Sequence, residues 1–220
     1  MRERKELRTG GISFMEPVPG AEGSWYYGIS REPGDLYEAE EIFLAGEKVK
    51  GNDLVLISYP EGILYRPLPR KEGTYSDTPV FFRESIYLLN VDFPGDLVRI
   101  VCFDCRSHES RLFRELPLSG IRNCYNLQLH TEPLTLTRQG DEDVFEILYP
   151  ERTSFAMDPH ESFFLREGER LYFSRWQEEG EGRDYRYWEE TVVRSLTGEV
   201  LEILPGDVFP MPDGSLWHLF

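Results

Sequence analysis

Apolar positions along this chain gather in many short runs of aromatic, β-branched and other apolar residues, and the runs are separated by polar turn residues. Aromatic and β-branched residues dominate Ser24–Ser30, Leu36–Leu44, Leu54–Tyr59, Ile63–Leu68, Ser85–Asp92, Leu97–Phe103 and Tyr125–His130. The same holds for Leu134–Arg138, Val144–Tyr149, Ser162–Arg166, Leu171–Trp176, Tyr185–Leu196, Val200–Leu204 and Ser215–Phe220. Such residues fit a pleated, half-buried surface, so each run is expected to be a strand. No window of a dozen residues combines apolar positions at i, i+3, i+4 and i+7 with caps at both ends. The expected class is therefore all-β. Pro33-Gly34-Asp35, Pro60-Glu61-Gly62, Pro94-Gly95-Asp96, Thr197-Gly198-Glu199 and Pro212-Asp213-Gly214 supply hairpin corners. In these, Pro presets φ, Gly accepts positive φ and Asp bonds nearby backbone.

Spacing adds a second level of order. Ser24-Trp25-Tyr26 followed by Pro33-Gly34-Asp35-Leu36 matches Ser85-Ile86-Tyr87 followed by Pro94-Gly95-Asp96-Leu97, each position offset by 61. The opening frame of an apolar then an aromatic residue recurs at Leu171-Tyr172 and Leu216-Trp217, with a weaker copy at Leu127-Gln128. From Tyr87 onward the steps are 41, 44 and 45 residues (128 − 87, 172 − 128, 217 − 172), close to the length of a four-stranded propeller blade. The chain resembles a β-propeller in this architectural respect, without the Trp-Asp and Gly-His marks of the best-known propeller repeat. The resemblance implies repeated antiparallel meanders in a small propeller of 4–5 blades, with a β-sandwich or irregular β-barrel as the alternative. It also implies that the incomplete last unit is completed by the segment around Ile12–Met15. A single domain over residues 1–220 is expected, with units starting near 24, 85, 126, 170 and 215.

Composition narrows the partners. Twenty-four basic and 40 acidic residues give a net charge of −16, which repels nucleic-acid phosphates and anionic lipid, so neither nucleic acid nor membrane is an expected partner. No stretch approaches the roughly 20 apolar residues of a membrane span. The charged start lacks the apolar run of a signal peptide, and three cysteines are too few for a disulfide scaffold, so a soluble cytoplasmic protein is expected.

Candidate chemistry is sparse. Cys102, Cys105, His108 and Cys124 have spacing that can hold tetrahedral zinc, yet Cys102 shares a strand face with Val98 and Ile100 and reads as core. No metal and no cofactor are expected. His130, Glu132, Arg138, Gln139 and Asp141 form a polar cluster that reads as surface hydrogen bonds at a hairpin end. The sequence lacks a G-x-S-x-G elbow, a P-loop and a strand-linked G-x-G-x-x-G. An enzyme is thus less expected than a non-catalytic binding or protein-interaction module, the alternative being a carbohydrate-active hydrolase with paired carboxylates. Trp25 and Trp217 sit in the repeated frame and read as packing residues. Trp176 and Trp188 flank the charged loop 177–184, and with Arg175, Tyr185 and Tyr187 they are the candidate ligand-binding residues for a protein, peptide or glycan.

Overall fold

The computed structural model describes residues 4–30, 34–140, 142–211 and 213–220. Pro33, Asp141 and Pro212, each part of a turn or cluster named above, lie outside the described residues. Strand makes up 49% of the chain and helix 7%, in several antiparallel sheets, so the all-β expectation holds. The described residues form two compact units divided between Thr131 and Glu132. Among them no helix is long and apolar enough to cross a membrane.

In the first unit β1 (Glu16–Pro17), β2 (Trp25–Ile29), β3 (Leu54–Ser58) and β4 (Leu64–Tyr65) make one sheet in chain order, and α1 (Leu36–Leu44) is inserted between β2 and β3. A second sheet holds β5 (Thr74–Ser76), β6 (Val80–Phe82), β7 (Ser85–Asp92), β8 (Leu97–Asp104) and β9 (Ser110–Pro117); β5 and β6 both pair with β7, and β9 is the outer strand. The short β10 (Gln128–His130) lies near β7. Alternate residues from these strands, Trp25, Tyr27, Leu54, Leu56, Ile86, Leu88, Val101 and Phe103, converge with Val18 in one core cluster.

The copy of the β7–β8 hairpin expected at Ser24–Leu36 is not formed. β7 does fold back on β8 through Pro94-Gly95-Asp96, with Asp92 accepting from the Gly95 N–H at 3.0 Å. β2 instead pairs with β3, Trp25 opposite Ser58, and Leu36–Leu44 is helical rather than a strand. The reason is local. Asp35 accepts from the Glu38 N–H and the Glu38 carboxylate accepts from the Asp35 N–H, a complete capping box. Leu36, Ala39 and Phe43 then follow at helical spacing, and Leu36 and Ala39 are buried. Gly46, at φ +78°, takes the chain out of the helix. Trp217 also departs from expectation: Trp25 is buried against Tyr65 and Phe103, whereas Trp217 is 58% exposed in the last strand and packs no core.

In the second unit β11 (Thr135–Gln139), β12 (Val144–Tyr149) and β13 (Thr153–Ala156) form a meander. β14 (Glu161–Glu167), β15 (Arg170–Glu179), β16 (Arg186–Ser195) and β17 (Val200–Pro205) form a four-stranded sheet in chain order, followed by the hairpin of β18 (Asp207–Pro210) and β19 (Leu216–Leu219). Strand alternation gives β15 and β16 two working faces. Leu171, Phe173 and Val192 pack on Phe145 and Ile147 from β12, while Tyr172 and Val193 pack on Val208 from β18. Burying one such side chain contributes roughly 1.5–3 kcal/mol, so both faces of this sheet are held where it is covered.

Candidate functional site

β15 and β16 are ten residues each and run past the part covered by core. Their register places Ser174 opposite Thr191, Trp176 opposite Glu189 and Glu178 opposite Tyr187. Opposed residues share a face, so these six lie on the side that carries Tyr172 and Val193. That side meets β18, whose Val208 is buried under it and whose Asp207, Phe209 and Pro210 continue outward. Between them runs a groove of about 430 Å³ lined by Phe164, Trp176, Tyr187, Glu189, Asp207 and Phe209, together with Ser174, Arg175, Val208 and Pro210. Trp176 is 38%, Tyr187 53% and Phe209 48% exposed. Large aromatic surface is thus left in water within a concave setting.

The polar groups of the groove are held in place. The Tyr187 hydroxyl donates to Glu189 Oε1 at 2.7 Å. This hydroxyl, and then a hydrogen bond from Asp207, hold the Glu189 carboxyl below its ordinary range. Asp207 moves the other way: desolvation first, and then the Glu189 carboxylate bonded to it, push its carboxyl up. The shifts run in opposite directions, so Asp207 keeps its proton to higher pH than Glu189 does. His160 stacks on Trp176 with ring centroids 3.5 Å apart and planes at 14°, which fixes the indole.

The five residues singled out by sequence are split by strand alternation. Trp176 and Tyr187 face the groove. Tyr185 sits in the loop between β15 and β16, its hydroxyl donating to Glu178 at 3.0 Å, and it does not line the groove. Trp188 is on the opposite face, where its Nε1 donates to Glu190 at 3.2 Å. Arg175 shares that opposite face, bonding Glu190 at 2.8 Å and Asp158 at 3.0 Å. Behind it Arg194 holds the fully buried Glu161 carboxylate at 2.9 Å and Asp158 at 3.1 Å. This ion network braces the hairpin from behind. Phe164, Glu189, Asp207 and Phe209 escaped sequence reading. For Glu189 there was a signal, since the adjacent acids Glu189 and Glu190 in a strand must point to opposite faces.

The other sequence candidates sit elsewhere. Cys102 is buried in β8 opposite Tyr87, and the Cys124 N–H donates to the buried Glu40 at 2.7 Å. Burial pushes the Cys105 thiol up to about 12, so it resists forming the thiolate a metal needs. His108 stacks among Tyr65 and Phe103. Among the described residues no three His, Cys, Asp or Glu converge as metal ligands. Within the polar cluster Glu132 is exposed, but Arg138 is no surface residue: it is buried and pairs with Glu142 at 2.9 Å and Glu146 at 2.5 Å. Gln139 is committed to the Glu161 carbonyl and the Phe163 N–H.

Compared with known proteins, the chain matches no family model and no curated protein.

Proposed function

We propose that this chain is a non-catalytic binding module whose ligand surface is the aromatic groove between the β15–β16 hairpin and β18. The observation that carries this reading is the combination of exposed Trp176, Tyr187 and Phe209 in one concavity of ligand size. Stiff aromatic side chains give contact area at small entropic cost. The stacked His160 and the ion network behind the hairpin reduce that cost further, because the groove is shaped before a ligand arrives.

A second reading, hydrolysis by paired carboxylates, draws on Glu189 and Asp207, which sit in the groove with opposite shifts. What tells against a glycosidase is placement: such enzymes set an acid and a nucleophile or base apart, one on each side of the bond to be cut, whereas Glu189 and Asp207 lie close enough to shift one another's titration.

For the architecture, our reading is a small β-propeller of four to five blades. It is supported by consecutive antiparallel meanders in chain order, β1–β4 and β14–β17 among them, and by outer strands such as β9 and β17 that are almost wholly exposed.

The test uses peptide and glycan arrays probed with the labelled chain and its variants. Ligands retained by the wild type are expected to bind at least about tenfold more weakly, about 1.4 kcal/mol, to Trp176→Ala and to Phe209→Ala, both checked for folding by circular dichroism. Trp188→Ala is expected to bind normally, since it lies on the other face. Equal binding by all four proteins removes the groove from the function. Turnover of a glycan at a rate abolished by Asp207→Asn would install the hydrolase in its place.

A further inference from the structure

The groove's chemistry is one-sided. Its acceptors are the Glu189 and Asp207 carboxyls, while its hydroxyl donors are already used, Tyr187 on Glu189 and Ser174 on the Ser162 carbonyl at 3.4 Å, which leaves the Trp176 indole N–H as the remaining side-chain donor. Arg175, which also lines the groove, brings no free positive charge, because its guanidinium is bonded to Glu190 and Asp158. A sugar hydroxyl both donates and accepts, and would find few donors here. A guanidinium has five N–H donors and no acceptor, in a planar fork that suits two adjacent carboxyl groups. Aromatic faces add to this preference. The ring quadrupole attracts a cation placed over Trp, Tyr or Phe, and Trp176, Tyr187, Phe164 and Phe209 line the same space. The whole chain, at net charge −16, draws basic partners toward it over longer range.

From this we propose that the groove receives an arginine side chain of a basic peptide segment, its guanidinium on Glu189 and Asp207 and its flat face against Trp176. The proposal rests on the binding-module reading and specifies the ligand class for the same groove. Flanking basic residues of the segment meet further acids nearby, Glu178 among them, which holds the Tyr185 hydroxyl at the hairpin tip. Lysine fits less well, since its compact ammonium cannot bridge two carboxyls in one plane.

The full chain is titrated, with tryptophan fluorescence and calorimetry as readouts, against four probes of equal length: hexa-arginine, hexa-lysine, a neutral Gly/Ser hexapeptide and cellohexaose. Hexa-arginine is expected to bind more tightly than hexa-lysine, and the other two are expected not to bind. Glu189→Gln, Asp207→Asn and Trp176→Ala should each weaken hexa-arginine at least tenfold. The first two are near-isosteric, so they decide the matter even if Trp176→Ala fails to fold. The double variant Glu199→Gln/Glu202→Gln, with Glu202 exposed on β17 and Glu199 exposed just before it, removes the same two negative charges as changing both groove acids and should leave binding unchanged. If it weakens hexa-arginine as much as the groove variants do, the binding is diffuse electrostatics and the proposal fails. Cellohexaose binding lost in Trp176→Ala, with no hexa-arginine binding, overturns the arginine assignment while the module reading stands. Failure of all four probes overturns the assignment, and the arrays then judge the module separately.

Discussion

A single ring shows how burial sets pH behaviour here. His130 keeps a little exposed surface in β10, yet desolvation pushes its pKa down to about 4, against about 6.5 in an unfolded chain. The unfolded state therefore binds the extra proton first. Above pH 6.5 both states are neutral at this position, and as pH falls from 6.5 toward 4 the folded state loses about 2–3 kcal/mol relative to the unfolded one. Urea midpoints measured between pH 7 and pH 4 are expected to fall steeply in the wild type and less steeply in His130→Leu. Parallel curves for the two proteins would show that the ring costs nothing to leave neutral. From sequence this histidine read as part of a surface cluster, because short polar runs look alike whether water or protein surrounds them. The buried Arg138, held by Glu142 and Glu146, misleads for the same reason.

At the level of elements, α1 depends on its N-terminal cap. Asp35→Ala removes the acceptor for the Glu38 N–H and is expected to cost about 1 kcal/mol, read as a lower urea midpoint with an unchanged slope. An unchanged midpoint would mean that packing of Leu36 and Ala39 alone keeps the helix. Strands such as β7 and β12 were legible to the residue from runs of aromatic and aliphatic residues bounded by turns. The helix was hidden by a turn sequence shared with a genuine hairpin, although Asp35 and Glu38 carried its cap signal. β9 was hidden differently: Ser110–Pro117 is an exposed outer strand rich in Arg and Glu, with no buried face to impose alternation. Half of the groove was readable, since Trp176 and Tyr187 lie on one hairpin. The other half was not, because Asp207 and Phe209 come from a separate hairpin that only tertiary packing around Val208 brings across.

For the molecule as a whole, charge and edges act against each other. Val200, Leu201 and Ile203 are exposed on β17, the last strand of its sheet, and Leu112 and Phe113 on β9. Exposed apolar edges invite strand pairing between copies, while a net charge of −16 keeps copies apart. Light scattering at low salt is expected to rise as pH approaches the pI near 4.7, and Leu201→Lys/Ile203→Lys should suppress the rise. Scattering that stays flat through the pI would show that these edges do not associate. The meanders themselves have a consequence for assembly in time. Within β1–β4, β7–β9, β11–β13 and β14–β17, most pairings join strands that are neighbours in sequence, so few long loops must close before a sheet gains its contacts. A growing polypeptide can therefore lay down each sheet soon after its last strand leaves the ribosome. The groove is a late arrival in that order, completed only when residues 207–210 fold back on a hairpin already standing.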